Sequence, residues 1–167
     1  MKLFDLIKSD ENIQIDKKTL VTLRWIAIFG QFITINFVYL VLNFNFPFLY
    51  CCVIIIFGLF SNLVLNFKIK KKLLNNFEAS SYLLYDLLQL ILLVFLTGGI
   101  TNPFVILLAI PAIVSSTFLS IKSTVNLTFI TIVSLIVLTL YHFPLPSPGD
   151  LHFHVPRFYL YGVPSAI

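Results

Sequence analysis

The sequence predicts an all-α protein: a polytopic membrane helix bundle with five complete spans and the start of a sixth. Three observations lead there. Residues 20–42, 46–67, 82–96, 104–119 and 125–143 are apolar runs near the ~20 residues a helix needs to cross a bilayer core. Hydrophobic residues make up 59% of the chain and charged residues 11%, whereas a soluble domain carries about 25% charged. Basic residues are also segregated, with Arg157 alone falling on the side opposite the rest. Five such runs cannot all hide inside a soluble fold of 167 residues, and they lack the period-two alternation of a membrane β-barrel.

Residues 1–19 are of mixed polarity and read as a cytoplasmic N-terminal segment, amphipathic or loosely ordered. They lack the early apolar core of a cleavable signal peptide. Lys2, Lys8, Lys17, Lys18 and Arg24 precede or begin the first span, Lys68, Lys70, Lys71 and Lys72 follow the second, and Lys122 lies between the fourth and fifth. The positive-inside rule then places the N-terminus on the cytoplasmic side of the membrane. The turns at 43–47 and 97–103 and the proline-rich loop 144–156 face outward. Trp25, Phe46, Phe48 and Tyr50 read as interfacial anchors, and the other phenylalanines as lipid-facing or packing residues. The third run is short, but its ends extend into Ser80, Ser81 and Thr97.

The net charge of +4 has an ordinary explanation in basic loops beside anionic lipid, so membrane lipids are expected partners and no nucleic-acid site is invoked. Cys51 and Cys52 are adjacent, a poor arrangement for a disulfide, and nothing has the spacing of a metal site. They read as small membrane residues.

The polar positions inside the spans carry more information. Asp86, Gln89, Leu93 and Thr97 share one side of the third helix, which should face inward because an ionised aspartate in lipid is costly. Arg24, Gln31 and Thr34 form a second stripe on the first helix. Arg24 either snorkels to the interface or approaches Asp86, and Gln31 either bridges helices or meets a ligand. Thr124, Thr128, Thr131, Leu135, Thr139 and His142 line one face of the fifth run. This face is a packing stripe with hydroxyls bonded back to the helix, or a polar surface with a titratable histidine at its end. Arg24, Gln31, Asp86, Gln89 and His142 are therefore a candidate network for sensing or for packing.

The run Thr97-Gly98-Gly99-Ile100-Thr101-Asn102-Pro103-Phe104 separates the third and fourth spans. Gly98 and Gly99 permit a tight turn, Asn102 can cap the following helix, and Pro103 can occupy its first position without losing a helical bond. Such a turn would expose backbone N–H groups and the positive helix end beside Phe104. It could hydrogen-bond the oxygens of a quinone and shelter its ring, or it could simply end two helices.

Leu23-Arg24-Trp25, Gly30-Gln31, Asp86 with Gln89, the Gly-Gly-x-x-Asn-Pro-Phe turn and Leu145-Pro146 together resemble the membrane domain of the RegB/PrrB/ActS redox-sensing histidine kinases. The turn is the most specific of these elements, and the resemblance covers residues 18–167. It implies a dimeric two-component sensor with six transmembrane helices. It further implies that Gly98, Gly99, Asn102, Pro103 and Phe104 bind ubiquinone or another quinone. ATP, Mg, histidine autophosphorylation and transfer to a response regulator would belong to a kinase region absent from these 167 residues. Residues 20–167 would then be a quinone-sensing domain, incomplete at its C-terminus because 158–167 are too few for a sixth span. No catalytic residue is expected in it. A small transporter or channel is the alternative, with Asp86, Gln89 and the threonine face lining a polar route.

Overall fold

The computed structural model describes residues 14–68 and 70–148. Its elements run β1 (Gln14–Asp16), α1 (Lys17–Leu40), β2 (Phe44–Asn45), α2 (Phe48–Lys68), β3 (Leu73–Asn75), α3 (Asn76–Leu96), a 3-10 turn (Gly99–Thr101), a 3-10 helix (Pro103–Ala109), α4 (Ile110–Phe118), α5 (Ile121–Leu140) and β4 (Ser147–Pro148).

Two short antiparallel ladders close the ends of the bundle. At one end β1 pairs with β3, Ile15 opposite Leu74, and both side chains are buried in the main core. The α1, α3 and α5 helices all start there, each with its own cap. Asp16 accepts from the Lys18 N–H, Asn75 and Glu78 form a capping box, and Ser120 accepts from the Ser123 N–H. These caps satisfy N–H groups that have no partner within the helix. The Asn76 amide ties two of the starts together, donating to Ser120 Oγ at 3.0 Å and Ser123 Oγ at 2.9 Å. At the other end β2 pairs with β4.

The core between the helices holds Leu20, Leu83, Leu87, Leu108 and Leu135. The outer surface is apolar as well: Ile26, Phe29, Ile33, Phe37 and Leu40 of α1 and Val125, Phe129, Ile132, Ile136 and Leu140 of α5 stand exposed. Apolar stripes this long would drive association in water, whereas lipid solvates them. The protein is a polytopic membrane protein. Thr131, Ser134 and Thr139 return their hydroxyls to the α5 backbone, the behaviour of a packing stripe. Cys51 and Cys52 are both free, and Cys51 is buried beside Ile28, Ile55 and Leu93.

The span count differs from the sequence-based expectation. Among the described residues four helices, not five, are long and apolar enough to cross a membrane: α1, α2, α3 and α5. The expected fourth span, 104–119, is instead a shorter apolar segment, Pro103–Phe118, split between the 3-10 helix and α4. Pro111 gives the reason. It has no N–H to donate to Leu107, and the Leu107 carbonyl instead accepts the tighter bond from the Ile110 N–H, so the α-helix begins only there. The segment runs back along α3 from Asn102, beside Thr97, to Ser120, beside Asn76. The expected start of a sixth span at 158–167 lies outside the described residues, as do residues 149–156 of the proline-rich loop. The first helix also begins at Lys17 rather than at residue 20, and the third at Asn76 rather than 82.

Candidate functional site

The turn after α3 is held by its own atoms. Gly98 and Gly99 have φ of 115° and 54°, values that L side chains tolerate poorly. A Cβ on Gly98 would come within 2.7 Å of Leu145, and one on Gly99 would run into the His142 ring. The bare faces of both glycines are therefore covered by residues 142–145. The Phe143 N–H seals this contact by donating to Phe95 O at 3.0 Å. Gly99→Ala should lower stability by about 1–3 kcal/mol through backbone strain and overpacking. A thermal melt of the purified chain in detergent checks this, and an unchanged melting temperature would contradict the packing described.

Asn102 is buried and joins both sides of the turn. Its Nδ2 donates to Thr97 O at 3.0 Å and Thr97 Oγ1 at 2.6 Å, and its Oδ1 accepts from the Phe104 N–H at 2.8 Å. Both amide hydrogens are thus committed, while Oδ1 keeps a further lone pair. The N–H groups of Thr101, Asn102 and Val105 bond to Gly98, Gly99 and Asn102 carbonyls. The backbone donors expected to be exposed at positions 101–105 are closed within the turn.

Between this turn and α1 lies a groove of about 590 Å³. Ile33, Thr34, Phe37 and Val38 form the α1 wall, Phe44 and Phe46 the end, and Thr97, Asn102, Pro103 and Phe104 the opposite wall, with Leu145 and Pro146 beside them. Its volume and its mostly apolar lining with few polar atoms suit a small organic ring. Among the described residues the Thr34 hydroxyl has no protein partner, so it is available as donor or acceptor.

Toward the β1–β3 end, two polar bridges cross from α1 to α3. Gln89 Nε2 donates to Gln31 Oε1 at 2.8 Å. Gln89 also fills the space over Gly58 of α2, where a Cβ would collide with its amide. One to two turns further along, Arg24 grips Asp86 from two nitrogens, Nε at 2.9 Å and Nη2 at 2.8 Å from Oδ1. Nη2 also donates to Ser61 Oγ of α2 at 3.0 Å. The guanidinium carbon lies 5.0 Å from the Tyr82 ring centre and 5.7 Å from that of Tyr85. Arg24 is 2% exposed, so it pairs rather than snorkels, and it joins three helices. Its Nη1 has no hydrogen-bond partner among the described residues.

The structure thus sorts the residues singled out from sequence into three places. Asn102, Pro103 and Phe104 line the groove together. Gly98 backs onto Leu145 and Gly99 onto His142, whose Nδ1 sits 2.8 Å from Phe143 O, and neither glycine lines the groove. Arg24 with Asp86 and Gln31 with Gln89 form the bridges, which His142 does not join. Ser61, Gly58, Tyr82 and Tyr85 were not foreseen as parts of these bridges. Ser61 and Gly58 are breaks in an otherwise apolar run, and that is the signal that could have found them. Among the described residues no group of three His, Cys, Asp or Glu side chains could hold a metal ion.

The described residues form a polytopic membrane helix bundle with an apolar groove at one end and a charged bridge in its interior. Comparison with known proteins gives the family. The chain is 34% identical over 151 residues, 90% of its length, to the sensor histidine kinase RegB of Cereibacter sphaeroides. It spans 33% of that relative's length. No protein-family profile matches it, and no solved structure does. The chain belongs to the RegB/PrrB-type sensor histidine kinases and corresponds to their membrane sensor domain. The resemblance drawn from short motifs is borne out over most of the chain.

Proposed function

We propose that this domain senses the redox state of a quinone held in the groove beside Asn102, Pro103 and Phe104. The observation that carries the reading is the groove itself. Thr97, Asn102, Pro103 and Phe104 form one wall of it, and its apolar surface suits a ring whose polar atoms are a few oxygens at its edge. Thr34 can donate to a quinone carbonyl. The remaining lone pair on Asn102 Oδ1 can accept only from a hydroxyl, which the quinol supplies and the quinone lacks. The two redox states therefore make different bonds across the gap between α1 and the turn.

A ligand shifts a conformational equilibrium only through its different affinity for the two states. Here the difference would bear on the spacing of α1 from α3, which the Arg24–Asp86 and Gln31–Gln89 bridges also set. The β1–β3 end, beside Lys70, Lys71 and Lys72, is assigned to the cytoplasm by the positive-inside rule. In a full-length dimeric protein of this family the movement would reach a cytoplasmic kinase. That kinase would phosphorylate its own histidine from ATP and pass the phosphoryl group to a response-regulator aspartate.

The test is equilibrium binding of ubiquinone to the purified chain in nanodiscs. Binding should saturate, and Phe104→Ala should weaken it about 5- to 10-fold through lost ring contact, an effect on the order of 1 kcal/mol. Equal binding by wild type and variant would place the quinone elsewhere. Substrate-dependent flux through liposomes without a redox response would favour a transporter.

A further inference from the structure

A second cavity of about 270 Å³ adjoins the groove at Asn102 and reaches toward the β1–β3 end, and the two share Thr34, Ile35, Thr97, Asn102 and Phe104 in their walls. The inner cavity runs along α1 from Thr34 to Ile26, eight residues or about 12 Å of helix. Its far walls are Leu90, Leu93, Leu107 and Ile110, and no charged side chain lines it. Gln31, bonded to Gln89, lines it between those ends. On the α1 side the wall is hollowed by Gly30, where a Cβ would have no neighbouring atom within 4 Å.

Thr34 and Asn102 therefore stand between the ring groove and a mostly apolar channel that is open along Ile26, Ala27 and Gly30. We infer that this channel, floored by Gly30, receives the first isoprene units of the quinone tail, so that the domain recognises a prenylated quinone by tail as well as by ring. The inference rests on the quinone reading above. The shared wall of the two cavities is what selects this occupant over a lipid acyl chain: one ligand with a polar head and an apolar branched tail can span both.

Binding of two probes to the full chain in nanodiscs tests it, each affinity expressed against probe concentration within the membrane. The probes are a polyprenyl ubiquinone and its tail-less benzoquinone ring. The wild type should bind the prenylated form at least tenfold more tightly. Gly30→Phe, which fills the channel from its open side, should abolish that difference while leaving the tail-less affinity unchanged. Ala27→Phe, one turn away on the same wall, serves where Gly30→Phe does not keep the wild-type melting temperature. A tenfold preference that persists in a folded variant overturns the tail assignment while the ring site stands, as does a wild type that binds both probes equally. Saturable binding of neither probe overturns the quinone reading itself.

Discussion

Asp86→Ala is expected to destabilise the bundle by about 3–5 kcal/mol, the cost of leaving a buried charge without its partner. Arg24 is almost wholly shielded from the outside of the bundle, and its guanidinium loses its bonds to the carboxylate. The hydroxyl of Ser61, 3.0 Å away, and the faces of Tyr82 and Tyr85 remain, but they carry no compensating charge. The reciprocal change, Arg24→Ala, strands Asp86 in the same way. A double replacement, Arg24→Met with Asp86→Leu, removes both charges at similar volume and should recover most of the loss. Denaturant titration of the purified chain in mixed micelles measures all three. Additive losses in the double variant would contradict the pairing, and a single-variant loss below about 1 kcal/mol would be that of a solvent-screened pair. If the bridge also sets the α1–α3 spacing, the double variant should be stable yet shifted in its quinone affinity.

Asn102→Leu comes next, at about 2–3 kcal/mol. The side chain satisfies the Phe104 N–H, the Thr97 carbonyl and the Thr97 hydroxyl at once, and leucine would leave buried polar groups unpaired at about 1 kcal/mol or more each. Asn102→Asp separates two roles. At a pH where the carboxyl is neutral it retains the acceptor that caps Phe104 and exchanges two N–H donors to Thr97 for a single O–H, so it should melt below the wild type and above the leucine variant. Identical melting of the aspartate and leucine variants would show that the cap contributes nothing.

Membrane character, four of the five expected spans and the inward side of α3 were legible in the sequence because apolar runs and 3.6-residue spacing are strong, local signals. The pairing of Arg24 with Asp86 was visible only as one of two options, since spacing puts both at similar depth without saying which way Arg24 turns. The break at Pro111 was missed because a proline in an apolar run leaves hydropathy intact while removing the donor that a continuous helix needs. The β1–β3 and β2–β4 ladders, two or three residues each, are too short to show an alternating pattern. The roles of Gly98 and Gly99 were half legible. Their need for positive φ could be read from the turn, but their burial against His142 and Leu145 depends on where the chain returns forty residues later.

The central claim is that a quinone occupies the groove between α1 and the 97–104 turn, and photolabelling tests it most directly. An azido-quinone irradiated with the full chain in nanodiscs should attach within residues 33–46 and 97–104, and excess unlabelled ubiquinone should suppress the attachment. Label confined to the exposed apolar face of α5, or spread over all lipid-facing residues and insensitive to competitor, would contradict it.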